Sequence, residues 1–250
     1  MLEAVTGEDP ESRPPFAWMV TALVAANCVL WLLQLKEGDA FTNALAAVPY
    51  ELTHGVDLVD TQWVTSHGEL VPIQHAAGPR PIYLTLLSSM FLHSSWAHLL
   101  SNMLYLGVFG APIERRTGPF RFFAFYGFCG LIASIAHVLS DSESMVPMVG
   151  ASGAISGILG AYVLTFPLSE VPAIIRLLTI GLTPRLPAAV VFGFWLLVQW
   201  TEYLRAEPGA AGGVAFMAHI GGFLTGLILA AFLIPNPPPP KPKRHGWVSY

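Results

Sequence analysis

The chain has 250 residues, 54% of them hydrophobic and 11% charged, with a mean hydropathy of +0.57. Soluble domains carry about a quarter charged residues, so the composition excludes an ordinary soluble domain and places the chain in the membrane class. The formal net charge of −4, with no basic stripe interleaved with aromatics, lacks the electrostatic footprint of nucleic-acid binding.

Residues 1–15 are acidic and proline-bearing, without the basic region and cleavage site of a removable signal, and are expected to form a cytoplasmic tail that leaves the first apolar run in place. A bilayer core of ~30 Å needs about 20 apolar residues per helix, and six segments meet or approach this. They lie near 16–35, 94–113, 119–140, 151–167, 186–205 and 214–234. The fourth is short, because Pro167 and the following Leu-Ser-Glu-Val-Pro stop it early. Residues 36–93 have mixed polarity and many aromatics, which predicts an interfacial loop with short amphipathic helices. The proline-rich, basic tail 235–250 is expected to be an extended cytoplasmic extension. The whole reads as an all-α membrane protein: one domain, 16–234, with six transmembrane helices and a long loop after the first.

Placement of Lys and Arg orients it. With both ends cytoplasmic, Arg13, Arg115, Arg116, Arg121, Arg176, Arg185, Lys241, Lys243 and Arg244 fall inside, whereas Lys36, Arg80 and Arg205 fall outside. The long loop and the starts of spans 2 and 4 then share the outer side. Cys28 and Cys129 sit in apolar runs and read as small hydrophobes.

Polar groups at membrane depth are costly and are functional candidates. Ser152 lies in Gly150-Ala151-Ser152-Gly153 at the first turn of span 4, where unpaired N–H groups and the positive helix end favour a nearby oxyanion. Gly153 and Gly157 also form a small-xxx-small seam, so Ser152 taken alone reads first as a packing residue and only second as a nucleophile. His219 opens span 6, and Gly222 and Gly226 form a GxxxG face beside it that another helix can approach closely. At the start of span 2, His98 and Asn102 stand at i and i+4 and project from one face, suited as donors to an oxyanion or as interhelical hydrogen bonders. His93 falls on a different face and is expected to order the loop entering the span. There is no HExxH, and no carboxylate or thiolate accompanies these histidines in a span, so no metal site is expected.

A GxSG at the outer start of one span, AHxxGxxxG in a later one and HxxxxHxxxN in an earlier one together resemble the rhomboid family of intramembrane serine proteases, in its six-span bacterial form. The resemblance covers roughly residues 16–234. It implies a Ser–His dyad of Ser152 and His219, and spans 4 and 6 contain no Asp or Glu to complete a triad. It further implies an oxyanion hole of His98, Asn102 and the Ser152 backbone N–H, with His93 matching a family histidine. Glu114 and Arg116 resemble the family's charged stretch closing span 2, structural on the cytoplasmic side. Two departures stand out. Where the family usually carries Tyr or Phe against the catalytic imidazole this chain has Ser156, so His219 must be positioned some other way. The loop has Gly78-Pro79-Arg80-Pro81 in place of a common Trp-Arg pair.

The expectation is therefore an integral, multi-pass endopeptidase of a bacterial inner membrane, its site opening outward. It would cleave transmembrane helices of other proteins within the lipid bilayer, without cofactor. The alternatives are a catalytically inactive rhomboid-like binding or quality-control module and, further off, a transporter relaying protons through His219 and His98.

Overall fold

The structure is a computed structural model that describes residues 16–234 apart from 67, 173–174, 178–179, 183–184, 208 and 210–212. The two expected tails, 1–15 and 235–250, lie outside the described residues.

The first helix, α1 (Trp18–Glu37), is apolar nearly all round and buries one stripe, Val20, Leu23, Asn27, Trp31 and Gln34, at steps of three and four residues. A loop follows with α2 (Asp39–Leu45), α3 (Pro49–His54), the hairpin strands β1 (Thr61–Ser66) and β2 (Glu69–Gln74), and α4 (Thr85–Ser88) among shorter helical turns. Then come α5 (Trp96–Tyr105), a π turn at Leu106–Gly110 and α6 (Ala111–Thr117), which make one continuous helical run. Pro112 lacks the N–H of a regular turn, which accounts for the wide turn ahead of it. Gly118, at φ +82°, ends this run and leads into α7 (Pro119–Ser140). Helix α8 (Ser152–Thr165) follows. A segment of short paired strands comes next, β3 (Glu170–Pro172) with β6 (Arg185–Pro187) around β4 (Ile175–Leu177) with β5 (Ile180–Leu182). The last two helices are α9 (Ala188–Arg205) and α10 (Phe216–Leu233).

The fold is mostly helical. Helices α1, α7 and α10 are long and apolar enough to cross a membrane. Large apolar side chains face outward, with Phe120 84% and Phe232 82% exposed, a surface suited to lipid rather than water. Helix α8 is the axis: every residue from Gly153 to Tyr162 is buried. It meets α7 and α10 through residues with almost no side chain. A methyl group on Gly226 would overlap the Gly157 carbonyl, and one on Gly222 the Gly153 carbonyl. From the α7 side, the Cβ of Ala133 and that of Cys129 press on Gly153 and Gly157. The sequence places Cys129 among small hydrophobes, and it is fully buried in this contact.

The loop corrects one expectation. It contains short helices, but also a hairpin with register Trp63↔Pro72 and Thr65↔Leu70, so the chain is not wholly α. The signal is the alternation in Thr-Gln-Trp-Val-Thr-Ser and Glu-Leu-Val-Pro-Ile-Gln, rich in β-branched residues and joined at Gly68 with φ +80°.

Helix α1 has Ala17 at its N-cap and no cap from its own side chains. The carboxylate of Glu114, 95 positions away on α6, accepts from Met19 N–H at 2.9 Å and Val20 N–H at 2.8 Å. This neutralises two orphan donors and sets a negative charge at the positive end of the helix. The expected structural role of Glu114 thus becomes a specific one: it docks the start of α1. Glu114→Ala should lower stability by about 2–3 kcal/mol, the value of hydrogen bonds to a charged acceptor, seen as a lower thermal midpoint in detergent. Glu114→Gln, which keeps an acceptor, should lose less.

Candidate active site

Three helices begin at the same end of the bundle, and each carries a polar side chain there: His98 on α5, Ser152 on α8 and His219 on α10. The glycine-to-backbone contact of α8 with α10 brings the last two together. Ser152 Oγ lies 2.9 Å from His219 Nε2.

The other imidazole nitrogen is also engaged. His219 Nδ1 lies 2.7 Å from Oε1 of Gln199, a buried residue of α9. A carbonyl oxygen only accepts, so Nδ1 carries the proton and Nε2 is left to accept from the Ser152 hydroxyl. Trp195, one turn before Gln199, sets its ring beside the imidazole, centroids 5.8 Å apart and planes inclined by 36°. Sequence reasoning missed Gln199 and Trp195. Their i, i+4 spacing on a helix that is apolar up to Val198 was the available signal, but nothing local says which neighbour that face meets. The Ser156 hydroxyl donates to the Ser152 carbonyl at 2.7 Å rather than to the imidazole.

His98 is held at its Nδ1 by Ser94 Oγ, 3.1 Å away, and its backbone N–H donates to the capping Ser95 Oγ at 3.1 Å. Its other ring edge lies against Gly150. A Cβ there would stand 2.7 Å from His98 Cε1, 2.8 Å from His98 Nε2 and 3.6 Å from Ser152 Oγ. Gly150, at φ +130°, therefore lets the His98 ring and the Ser152 hydroxyl share one small volume. Asn102 is buried, and its amide Nδ2 has no hydrogen-bond partner, so it is a free donor near the apolar core. His93 is fully buried, its ring nearly perpendicular to that of His98 with centroids 5.1 Å apart and planes inclined by 71°. Its backbone is clasped by Gln34 of α1. The His93 N–H donates to Gln34 Oε1 at 3.0 Å, and Gln34 Nε2 donates to the His93 carbonyl at 2.9 Å. Gln34 is a second residue that sequence reasoning passed over, hidden in an apolar run.

The segment entering α8 is roofed by the long loop. Ala47 and Met148 exchange both backbone hydrogen bonds, Tyr50 N–H donates to the Ser144 carbonyl, and Gly150 N–H donates to the Ser89 carbonyl at 2.8 Å. Asp141, at the end of α7, accepts from Gly209 N–H at 2.6 Å and ties this side to the segment entering α10. A small recess lined by Met90, Ala133, Met148, Gly150, Ala154 and Ala218 opens beside Ser152. Among the described residues no three His, Cys, Asp or Glu side chains group as a metal-holding set.

A family model described as the Rhomboid domain matches residues 81–236, which include all the residues of this cluster except Gln34. RHOMBOID-like protein 5 of Arabidopsis thaliana is 28% identical over 252 residues, covering 96% of this chain and 75% of that protein. RHOMBOID-like protein 4 of the same plant is 30% identical over 248 residues, covering 96% of this chain but 57% of that protein. Rhomboid protease GluP of Bacillus subtilis is 33% identical over 148 residues, 59% of this chain and 25% of that protein. The chain thus spans only part of the length of these relatives, and their spread over a plant and a bacterium does not single out the bacterial type.

The roof carries a buried carboxyl, Glu51, whose ionisation is displaced. Burial, with the nearby Asp57 adding to it, pushes the Glu51 carboxyl up to about 7, although Glu51 accepts from Leu58 N–H at 2.9 Å. A raised folded-state value means that folding takes up a proton, so this contribution is full below the ordinary carboxylate range and is lost as pH rises through 7. His75, whose value burial lowers, acts in the opposite sense. The difference between wild type and Glu51→Gln isolates the carboxyl. The variant's thermal midpoint should gain on wild type as pH rises from 5 to 8, and the two should converge in acid.

Proposed function

This chain belongs to the rhomboid family, an assignment that with its apolar helices makes it an integral membrane protein, and from that premise we propose that it is an intramembrane serine endopeptidase acting through Ser152 and His219. The observation that carries the reading is the 2.9 Å approach of Ser152 Oγ to an imidazole nitrogen that is free to accept its proton. In this reading α1, the run α5–α6, α7, α8, α9 and α10 are the six spans. Both termini are cytoplasmic and the site opens to the outer side, as the distribution of Lys and Arg favours.

A serine hydroxyl is a weak nucleophile at neutral pH. His219 Nε2 takes its proton as Ser152 Oγ bonds to the scissile carbonyl carbon, and the carbonyl π pair moves onto oxygen. In this reading His98, Asn102 and the Ser152 N–H at the start of α8 stabilise that oxyanion, supported by the His98 ring lying against Gly150 beside Ser152 and by the unpaired Asn102 Nδ2. When the intermediate collapses, the C–N bond breaks and the nitrogen leaves with the proton from Nε2, so that an ester remains on Ser152. Water then attacks the ester carbonyl and returns a proton to Nε2. The second collapse frees the acid and restores the hydroxyl.

The substrate is a transmembrane helix of another protein. Its scissile amide is locked in backbone hydrogen bonds until the helix unwinds, so small and helix-breaking residues near the outer interface favour cleavage. The narrow, alanine-lined recess beside Ser152 supports the same preference.

In detergent or liposomes, wild type should cleave a model transmembrane substrate and react with a fluorophosphonate probe, and Ser152→Ala should do neither. His98→Ala and Asn102→Ala should each lose about 10²–10³ in kcat, the usual cost of one oxyanion donor. Cleavage by Ser152→Ala would overturn the assignment. A folded wild type that neither cleaves nor reacts would point instead to the inactive binding module.

A further inference from the structure

Resting on the protease reading, we propose that Gln199 is the positioning residue for the general base: from α9 it holds His219 in the one tautomer that can accept the serine proton, a role no residue of α8 or α10 fills. The geometry is a linear relay across three helices. Ser152 Oγ is 2.9 Å from Nε2, and Nδ1 is 2.7 Å from Gln199 Oε1, with Gln199 buried and on the far side of the ring from the serine.

An imidazole with no partner at Nδ1 is free to carry its proton on either nitrogen. With the proton on Nε2, the ring would donate toward Ser152 and could not act as base. The amide oxygen removes that choice, because it accepts and never donates. It continues to accept from Nδ1–H once Nε2 is protonated, so the same contact orients the neutral ring and the cation. A carboxylate would do this more strongly, but an extra buried charge at membrane depth is costly when the ring opposite is neutral for most of the cycle. A neutral amide avoids that cost.

Trp195 completes the support from the same helix face, its ring 5.8 Å from the imidazole and 6.0 Å from Phe223 of α10. Together they do from α9 what an aromatic at position 156 would do from α8. Ser156 instead turns its hydroxyl back onto the Ser152 carbonyl. The titratable neighbours of His219 are His98 and His137; they are common to every variant below and do not affect the comparison.

The full-length protein carries the test, in detergent and in liposomes, with a quenched fluorescent transmembrane substrate. Gln199→Leu keeps the shape and removes the acceptor. It should lower kcat about tenfold or more, the worth of one hydrogen bond, with KM and the thermal midpoint little changed. Gln199→Glu should restore most of kcat at neutral pH and move the acid limb of the kcat profile to higher pH, because a carboxylate favours the imidazolium. A residue at 199 that did not contact Nδ1 would not produce that shift. Should Gln199→Leu fold poorly, the acid limb of Gln199→Glu decides alone: moved upward supports the role, unmoved overturns it.

The tautomer can also be read without turnover, from 15N-histidine spectra of Ser152→Ala with the His219 signals assigned by difference against His219→Gln. Nδ1 should be protonated with Gln199 present, and both tautomers should appear when Gln199→Leu is added to the same background. Active wild type alongside a Gln199→Leu variant that keeps its kcat and a protonated Nδ1 overturns this assignment alone. Wild type that stays unlabelled by fluorophosphonate overturns the protease reading, whatever the spectra show.

Discussion

The contact of α8 with α10, made backbone against backbone, is the constraint on which the rest of this structure depends. In a lipid surround apolar side chains gain nothing from leaving the solvent, so helices associate by close van der Waals packing, and glycine permits the closest packing. Gly222 rides on the Gly153 carbonyl and Gly226 on the Gly157 carbonyl. With that separation set, the first turns of two helices 67 positions apart bring a hydroxyl and an imidazole to hydrogen-bond distance. One methyl group at either glycine would separate the helices and the two side chains with them.

Around that axis, buried polar groups find partners across long stretches of chain, as an apolar medium requires. Glu114 caps α1 at one end of the bundle, and Gln34 clasps the His93 backbone at the other, so α1 is pinned at both ends. The charged member sits at a helix N-terminus, where two N–H groups and the dipole offset its desolvation. The members nearer the reactive cluster are neutral amides, Gln34 and Gln199. Not every buried group is paired: the Asn102 amide N–H, the Ser89 hydroxyl and the His93 ring nitrogens have no hydrogen-bond partner.

The long loop contributes by holding backbone in place. Through Ala47, Tyr50 and Ser89 it fixes residues 144–150, and so the angle at which the chain enters α8. Gly150 lies at the end of that segment with a conformation and a clearance that favour glycine, and the His98 ring fills the space a side chain would take. Loop, entry segment and α5 thereby converge on the start of α8, where Ser152 is presented.

Much of this was legible in the chain because apolar length and small-residue spacing are local properties. The helix near 119–140 and the approximate limits of the others follow from where apolar runs stop, and the helix-opening positions of His98, Ser152 and His219 follow from where they start. The GxxxG spacing pointed to a close helix contact and to one face of α10. The hairpin at 61–74 was missed, although its alternation is local, because the mixed polarity of the surrounding loop masks it. Other features had no local signature at all. That Glu114 would cap α1, that Gln34 would hold His93 and that α9 would present Gln199 and Trp195 to the imidazole all depend on which helix faces meet. A sequence specifies which side of a helix is small or polar, but the rotation of one helix against another is decided by packing among several helices at once, so these partners were settled only in the assembled bundle.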